Sequence, residues 1–176
     1  MLRYYLYKVI YQISDGRYLV NYYDLIKHHK IELPMPVGKG GLYSKFTSTS
    51  DKIIYFSSGV GCKKNGKFLY TGHVGSDVTI DQAKEAAGQC ILNIVSNMEE
   101  ELGNLNRVMK ILKMTGFINS SDDFGDQPQI MDFASSYLLK IFGEEVGSCS
   151  RTAIGVNTLP GNQAVEIEIV FEVKQI

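Results

Sequence analysis

The chain has 176 residues, of which 44% are hydrophobic and 21% charged, enough for one domain with a real core. A net charge of −1 without a long basic run argues against tight nucleic-acid binding, where phosphate neutralisation dominates affinity. Cys62, Cys90 and Cys149 are odd in number and lack metal-ligand spacing, so reduced thiols in a cytoplasmic setting are expected, with no metal or cofactor.

Residues 1–20 read as an N-terminal extension to a single domain spanning 21–176. Lys8, Asp15 and Arg17 interrupt its apolar character, which is not that of a signal peptide. No stretch approaches the roughly 20 apolar residues of a membrane span, so no membrane association is expected. Leu2, Tyr5, Leu6, Val9, Ile10 and Ile13 fit a helical stripe, while the wealth of Tyr, Ile and Val fits a strand. Ser14-Asp15-Gly16 ends the segment in either case.

Asn21 caps a short helix over 22–30, whose adjacent His28 and His29 point in different directions and form no metal pair. Pro34 and Pro36 open an extended linker. Gly38-Lys39-Gly40-Gly41 lacks the Lys-Ser/Thr ending of a phosphate loop and reads as a flexible entry to a strand. Strands are expected over 43–48 and 52–57, with Ser57-Ser58-Gly59 ending the second. Gly59 would let backbone approach a ligand closely, or simply bend the strand. Asn65-Gly66 marks a turn carrying Lys63, Lys64 and Lys67.

Thr79 or Asp81 caps a long helix running to about Leu102 and stopped by Gly103. Its stripe is Ala83, Ala86, Ala87, Cys90, Ile91, Ile94, Val95 and Met98, with Glu99-Glu100-Glu101 on a solvated face. A long strand follows over 108–118. The loop bearing Asp122, Asp123 and Asp126 has no metal-loop spacing and leads into a second long helix. That helix covers 130–142, with Ile130, Phe133, Ala134, Tyr137, Leu138 and Ile141 as its stripe and Gly143 as its end.

The last stretch, 149–174, reads as two strands joined by the Leu159-Pro160-Gly161-Asn162 turn. Val165, Ile167, Ile169, Phe171 and Val173 alternate with Glu166, Glu168, Val170 and Glu172, the period of a half-buried strand. If Gly155 lies opposite Glu166, the apolar residues share one face and Arg151 shares the other with Glu166 and Glu168. The two charges then stand about 13 Å apart along the ladder, leaving room for a small ligand. The alternation of strands and helices predicts an α+β fold with one mixed sheet and two long helices on its apolar face.

Several blocks together resemble the RidA/YjgF family, also called L-PSP endoribonuclease-like: YFSSG at 55–59, GHVGSDVTIDQAKEAAGQCILN at 72–93, GNLNRVMKILKMTGFINSSDDFGDQP at 103–128 and SRTAIGVNTLPGNQAVEIEIVFEV at 150–173. The resemblance runs over about 33–173. It implies a chorismate-mutase-like fold and a homotrimer whose sheets form a barrel, with clefts between subunits that hold a small carboxylate. Arg151 matches the arginine that grips that carboxylate, a task suited to a two-pronged guanidinium. Glu166 matches the glutamate that positions water, and Tyr43 a tyrosine at the rim. Gly59, with Ser58 beside it, matches the backbone that approaches the ligand. Ala153 stands where the deaminases of the family carry cysteine. The implied activity is hydrolysis of enamine or imine intermediates of the 2-aminoacrylate type to 2-oxo acids and ammonia. Ribonuclease action on RNA, or carboxylate binding without turnover, are the alternatives.

Overall fold

The computed structural model describes residues 10–12 and 18–175. Strands β1 (Ile10–Gln12) and β2 (Tyr18–Val20) pair antiparallel, Ile10 opposite Val20, so this part of the N-terminal segment is strand. The Ser14-Asp15-Gly16 turn and the stripe over 2–9 lie outside the described residues. Helix α1 (Tyr22–His28) is shorter than expected, but Asn21 caps it by accepting from the Tyr23 amide. Tyr22 fixes the helix to the core. Its hydroxyl donates to the Val108 carbonyl at 2.9 Å, and burial pushes its pKa up to about 12.

The main sheet contains β3 (Phe46–Ser48), β4 (Ile54–Ser57), β5 (Val60–Gly61), β8 (Val108–Asn119), β9 (Ser150–Val156) and β10 (Val165–Val173). Its order is β3-β4-β10-β8-β9, with β5 also pairing β10. A small hairpin, β6 (Lys63–Lys64) and β7 (Lys67–Phe68), turns at Asn65 and Gly66, both at positive φ as a two-residue turn requires. Two helices lie on the apolar face, α2 (Ile80–Leu102) and α3 (Gln127–Gly147), as the strand and helix order predicted. Among the described residues, no helix is long and apolar enough to cross a membrane.

Each long helix follows its sequence signals. Thr79 and Gln82 form a reciprocal capping box at the start of α2, and Gly103 closes it at φ 70°. All eight residues of its expected stripe are buried. Helix α3 begins three residues earlier than expected, at Gln127-Pro128, because proline suits the first turn. Gly143 (φ 76°) breaks it, but the chain makes one more turn to Gly147. Met131 and Phe142 join its buried face. Phe133 and Tyr137 are half-buried instead, their rings inclined at 60° with centres 5.6 Å apart over Gly88 of α2.

The expected pairing of the last two strands is overturned. Strand β8 lies between β9 and β10, antiparallel to β10 and parallel to β9. Helix α3 is the crossover that makes β8 and β9 parallel neighbours, and a parallel pair needs such a connection. The turn at Pro160–Asn162, with Gly161 and Asn162 both at positive φ, carries the chain past the end of β8. Asn119 ties that crossing down, donating to Asn162 Oδ1 and the Gln163 carbonyl. Gly155 therefore pairs with Ile118, and Glu166 aligns through Phe117 with Ile154.

Candidate functional site

The alignment sets which side chains share a face. Arg151 aligns through Met114 with Ile169, both buried among the helices, while Glu166 aligns with the exposed Ile154 on the opposite face. Strict alternation along each strand then puts Arg151 and Glu166 on opposite faces of the sheet. The shared face expected from the sequence is thus corrected. The two residues are also three rungs and two strands apart, or about 14 Å at the backbone.

Arg151 lies on β9, an outer strand of the sheet, and is half-buried. Its Nη1 donates to Asp132 Oδ1 at 2.7 Å and to Ser135 Oγ at 3.0 Å, both on α3. Asp132 is largely exposed, so the ion pair is of the weak, solvent-screened kind. Among the described residues, the pair engages only one of the three guanidinium nitrogens. Ala153 follows on the same face of β9, opposite Gly116, and packs against the core.

Glu166 occupies a different setting. Strand β10 places it opposite Gly61 of β5. Its carboxylate lies over Gly59, where any Cβ would collide with Oε1. Gly59 is therefore required for close approach of this carboxylate. Gln163, three residues earlier and just after the turn, donates from Nε2 to Glu166 Oε2 at 2.5 Å. Gln163 Oε1 is buried without a hydrogen-bond partner. Burial holds the Glu166 carboxyl above the ordinary range. The Gln163 bond pulls it down, and the nearby Glu168 charge raises it.

The chain between β4 and β5 completes the wall. The Ser58 amide donates to the Lys45 carbonyl at 2.9 Å and its hydroxyl to the Ser44 carbonyl at 2.8 Å. Ser57 Oγ accepts from the Ile169 amide at 2.8 Å, holding the bend against β10. Tyr43 is exposed at the rim, and its hydroxyl accepts from the Gly40 amide at 2.9 Å. Glu166, Gly59, Ser58 and Tyr43 thus line one cavity of about 500 Å³, whereas Arg151 and Ala153 do not.

Among the lining residues that escaped the sequence reading are Gln163 and Lys45. Lys45 Nζ donates to Asn97 Oδ1 at 3.3 Å and to Glu100 Oε2 at 2.6 Å, bringing a cation to the same cavity. Gln163 was legible in principle, as an amide placed between the turn and the Glu166 strand. Lys45 was not, because only the pairing of β3 with β4 brings it near Ser58. The arrangement offers a carboxylate poised to accept a proton, a glycine-backed surface and a nearby cation.

A family model described as YjgF/chorismate-mutase-like, putative endoribonuclease, matches residues 26–173. Protein TCP17 of Trypanosoma cruzi is 41% identical over 160 residues, covering 91% of this chain and 96% of that protein. The crystal structure of a putative endoribonuclease from Shewanella oneidensis MR-1 aligns with a TM-score of 0.81 at 26% identity. That alignment covers 87% of this chain and 99% of the other. Escherichia coli TdcF, solved with bound serine, shares the fold at a TM-score of 0.55 and 20% identity, over 82% of this chain and 96% of its own. With the match spanning most of the chain and the strand order, long helices and glycine-backed glutamate in place, the chain belongs to the YjgF/chorismate-mutase-like family.

Proposed function

We propose that the protein hydrolyses enamine or imine compounds of the 2-aminoacrylate type to 2-oxo acids and ammonia. The observation that carries this reading is Glu166, a carboxylate of raised pKa held over Gly59 inside a cavity. In the imine tautomer the substrate carbon is already electrophilic, so the protein need only hold the substrate and deliver water. Glu166 takes a proton from water as its oxygen bonds to the imine carbon. Glu166 returns that proton to the nitrogen, giving the carbinolamine, which collapses to the carbonyl as its hydroxyl proton passes by way of Glu166 to the nitrogen that leaves as ammonia. No cofactor or metal enters this sequence.

Arg151 joins the site from a neighbouring subunit of a homotrimer, since within one chain it lies on the other face of the sheet. Its free guanidinium edge grips the substrate carboxylate at the subunit cleft. Tyr43 closes the rim, and Ser58 and Gly59 present backbone to the ligand. Ala153 beside Arg151 supplies no nucleophile, and this hydrolysis needs none. Bound serine in TdcF, an amino acid with a carboxylate, supports a ligand of this class.

The test is ammonia release from freshly generated 2-aminoacrylate by wild type, Glu166→Gln and Arg151→Ala. Turnover in wild type that falls in both variants supports the assignment. Full activity in Arg151→Ala removes the arginine from the mechanism. Binding of 2-oxobutyrate with no ammonia release leaves a carboxylate-binding module instead. RNA cleavage that survives Arg151→Ala but needs Lys63, Lys64 and Lys67 favours the ribonuclease alternative.

A further inference from the structure

A second cavity, of about 880 Å³, is walled by segment 29–39, the β6–β7 hairpin and residues of α2 and α3. Five lysines line it, Lys30, Lys39, Lys63, Lys64 and Lys140, against one carboxylate, Glu32. The chain carries a net charge of −1, so this concentration of cations arises from folding and not from composition. Among the described residues, none of the five has an acidic partner within 4.0 Å, although lysines elsewhere do. Two of them are held in place by aromatic rings. Lys63 lies 5.0 Å from the Phe68 ring centre and Lys140 5.3 Å from that of Tyr137.

Burial, then the His28 and Lys140 charges, hold His29 below its ordinary pKa. The floor is ordered: Gln89 donates to Asn93, and buried Asn93 donates to the carbonyls of Gly61 and Lys63 at 2.9 and 2.8 Å. Asn93 thereby anchors the strand that presents Lys63. Five lysines converging on one concavity raise the local concentration of anions. The volume exceeds what a phosphate chain needs and falls in the range of small-molecule sites, about 300–1,000 Å³. Tyr137 and the Pro34-Met35-Pro36 segment give part of the wall an apolar character.

We propose that this cavity is a binding site for a polyphosphate-bearing small molecule of nucleoside triphosphate size. The lysines take the phosphates, and Tyr137 with the proline segment takes the organic part. The site is distinct from the Glu166 cavity and does not depend on the deaminase assignment. The two cavities share Val37, Gly38, Lys39 and Lys63, so an occupant here touches one wall of the other.

The experiment is calorimetric titration of the full chain with ATP, inorganic triphosphate and a short single-stranded RNA, at two ionic strengths. ATP and triphosphate should both bind saturably, and more weakly at high salt. ATP binding more tightly than triphosphate would assign the organic part to Tyr137, and equal affinities would assign recognition to phosphate alone. Each of Lys64→Gln and Lys140→Gln should weaken binding by roughly tenfold, the loss of one charged contact. Both side chains are exposed, and unchanged melting curves would show the variants folded. Lys84→Gln, on α2 and paired with Asp81, should leave affinity unchanged. No saturable binding of either small polyanion up to millimolar concentration would overturn the proposal. So would equal affinity in the lysine variants, or lysine-dependent binding of RNA alone.

Discussion

Glu166 combines two properties that seldom coexist at a surface residue: it lies in an open cavity, and its carboxyl is held above the ordinary range. Replacing it with glutamine keeps an acceptor for Gln163 and removes the proposed base. We expect Glu166→Gln to lower kcat for 2-aminoacrylate by roughly 10²–10⁴-fold, the range typical of a lost general base. The acid limb of the wild-type pH profile should lie above the ordinary carboxylate value, because the base works only when ionised. Stability carries the same sign. The folded-state pKa exceeds the unfolded one, so the contribution of this group is full below the unfolded value and is lost as pH rises through the folded value. Melting temperatures of Glu166→Gln and wild type should diverge in favour of the variant as pH rises from acid to neutral. Gly59 supports the same carboxylate from beneath. Gly59→Ala would drive a methyl into Oε1, and should cost activity while leaving the melting temperature within a few degrees of wild type.

The helices were the most legible elements, because their signals are local. The Thr79 cap, the Gly103 stop and the apolar stripe of α2 each depend on residues a few positions apart. The strands were legible as elements but not as neighbours. The alternation in 165–173 identified the buried face of β10 correctly, yet sequence alternation says nothing about which strand lies beside it. A proline-glycine turn between two strands suggested a hairpin. The 12-residue β8 took the intervening place, with β9 returning beside it in parallel through α3 and β10 pairing antiparallel on its other edge. That one pairing error moved Arg151 to the wrong face. Interactions between elements can be tested singly. Tyr22→Phe removes the hydroxyl that binds Val108, and chemical denaturation should show a loss of about 1 kcal/mol. Asn93→Leu strands the Gly61 and Lys63 carbonyls and should cost about 1–3 kcal/mol.

For the molecule as a whole, composition correctly indicated a single large core, and Cys62 and Cys90 lie within it. Their sulfurs donate to the carbonyls of Tyr70 and Val165, the latter the residue before Glu166 on β10. Cys149 is only half-buried. A thiol reagent should therefore label one cysteine per native chain and three after unfolding, as counted by mass spectrometry. Of the residues that the family resemblance singled out, Tyr43, Ser58, Gly59 and Glu166 line one cavity. Arg151 lies outside that cavity, and the proposed completion of the site by a second subunit depends on surfaces that no single chain displays. In one chain the proposed grip and the proposed base are on opposite faces of a sheet.

Subunit complementation tests this most directly. Arg151→Ala and Glu166→Gln should each be nearly inactive alone. Unfolded together in equal amounts and refolded, they should form mixed trimers in which about a quarter of the clefts pair an intact arginine with an intact glutamate. Ammonia release from 2-aminoacrylate recovering to about a quarter of the wild-type rate is the predicted result. Mixed oligomers that form but stay as inactive as the separate variants would contradict a site shared between subunits.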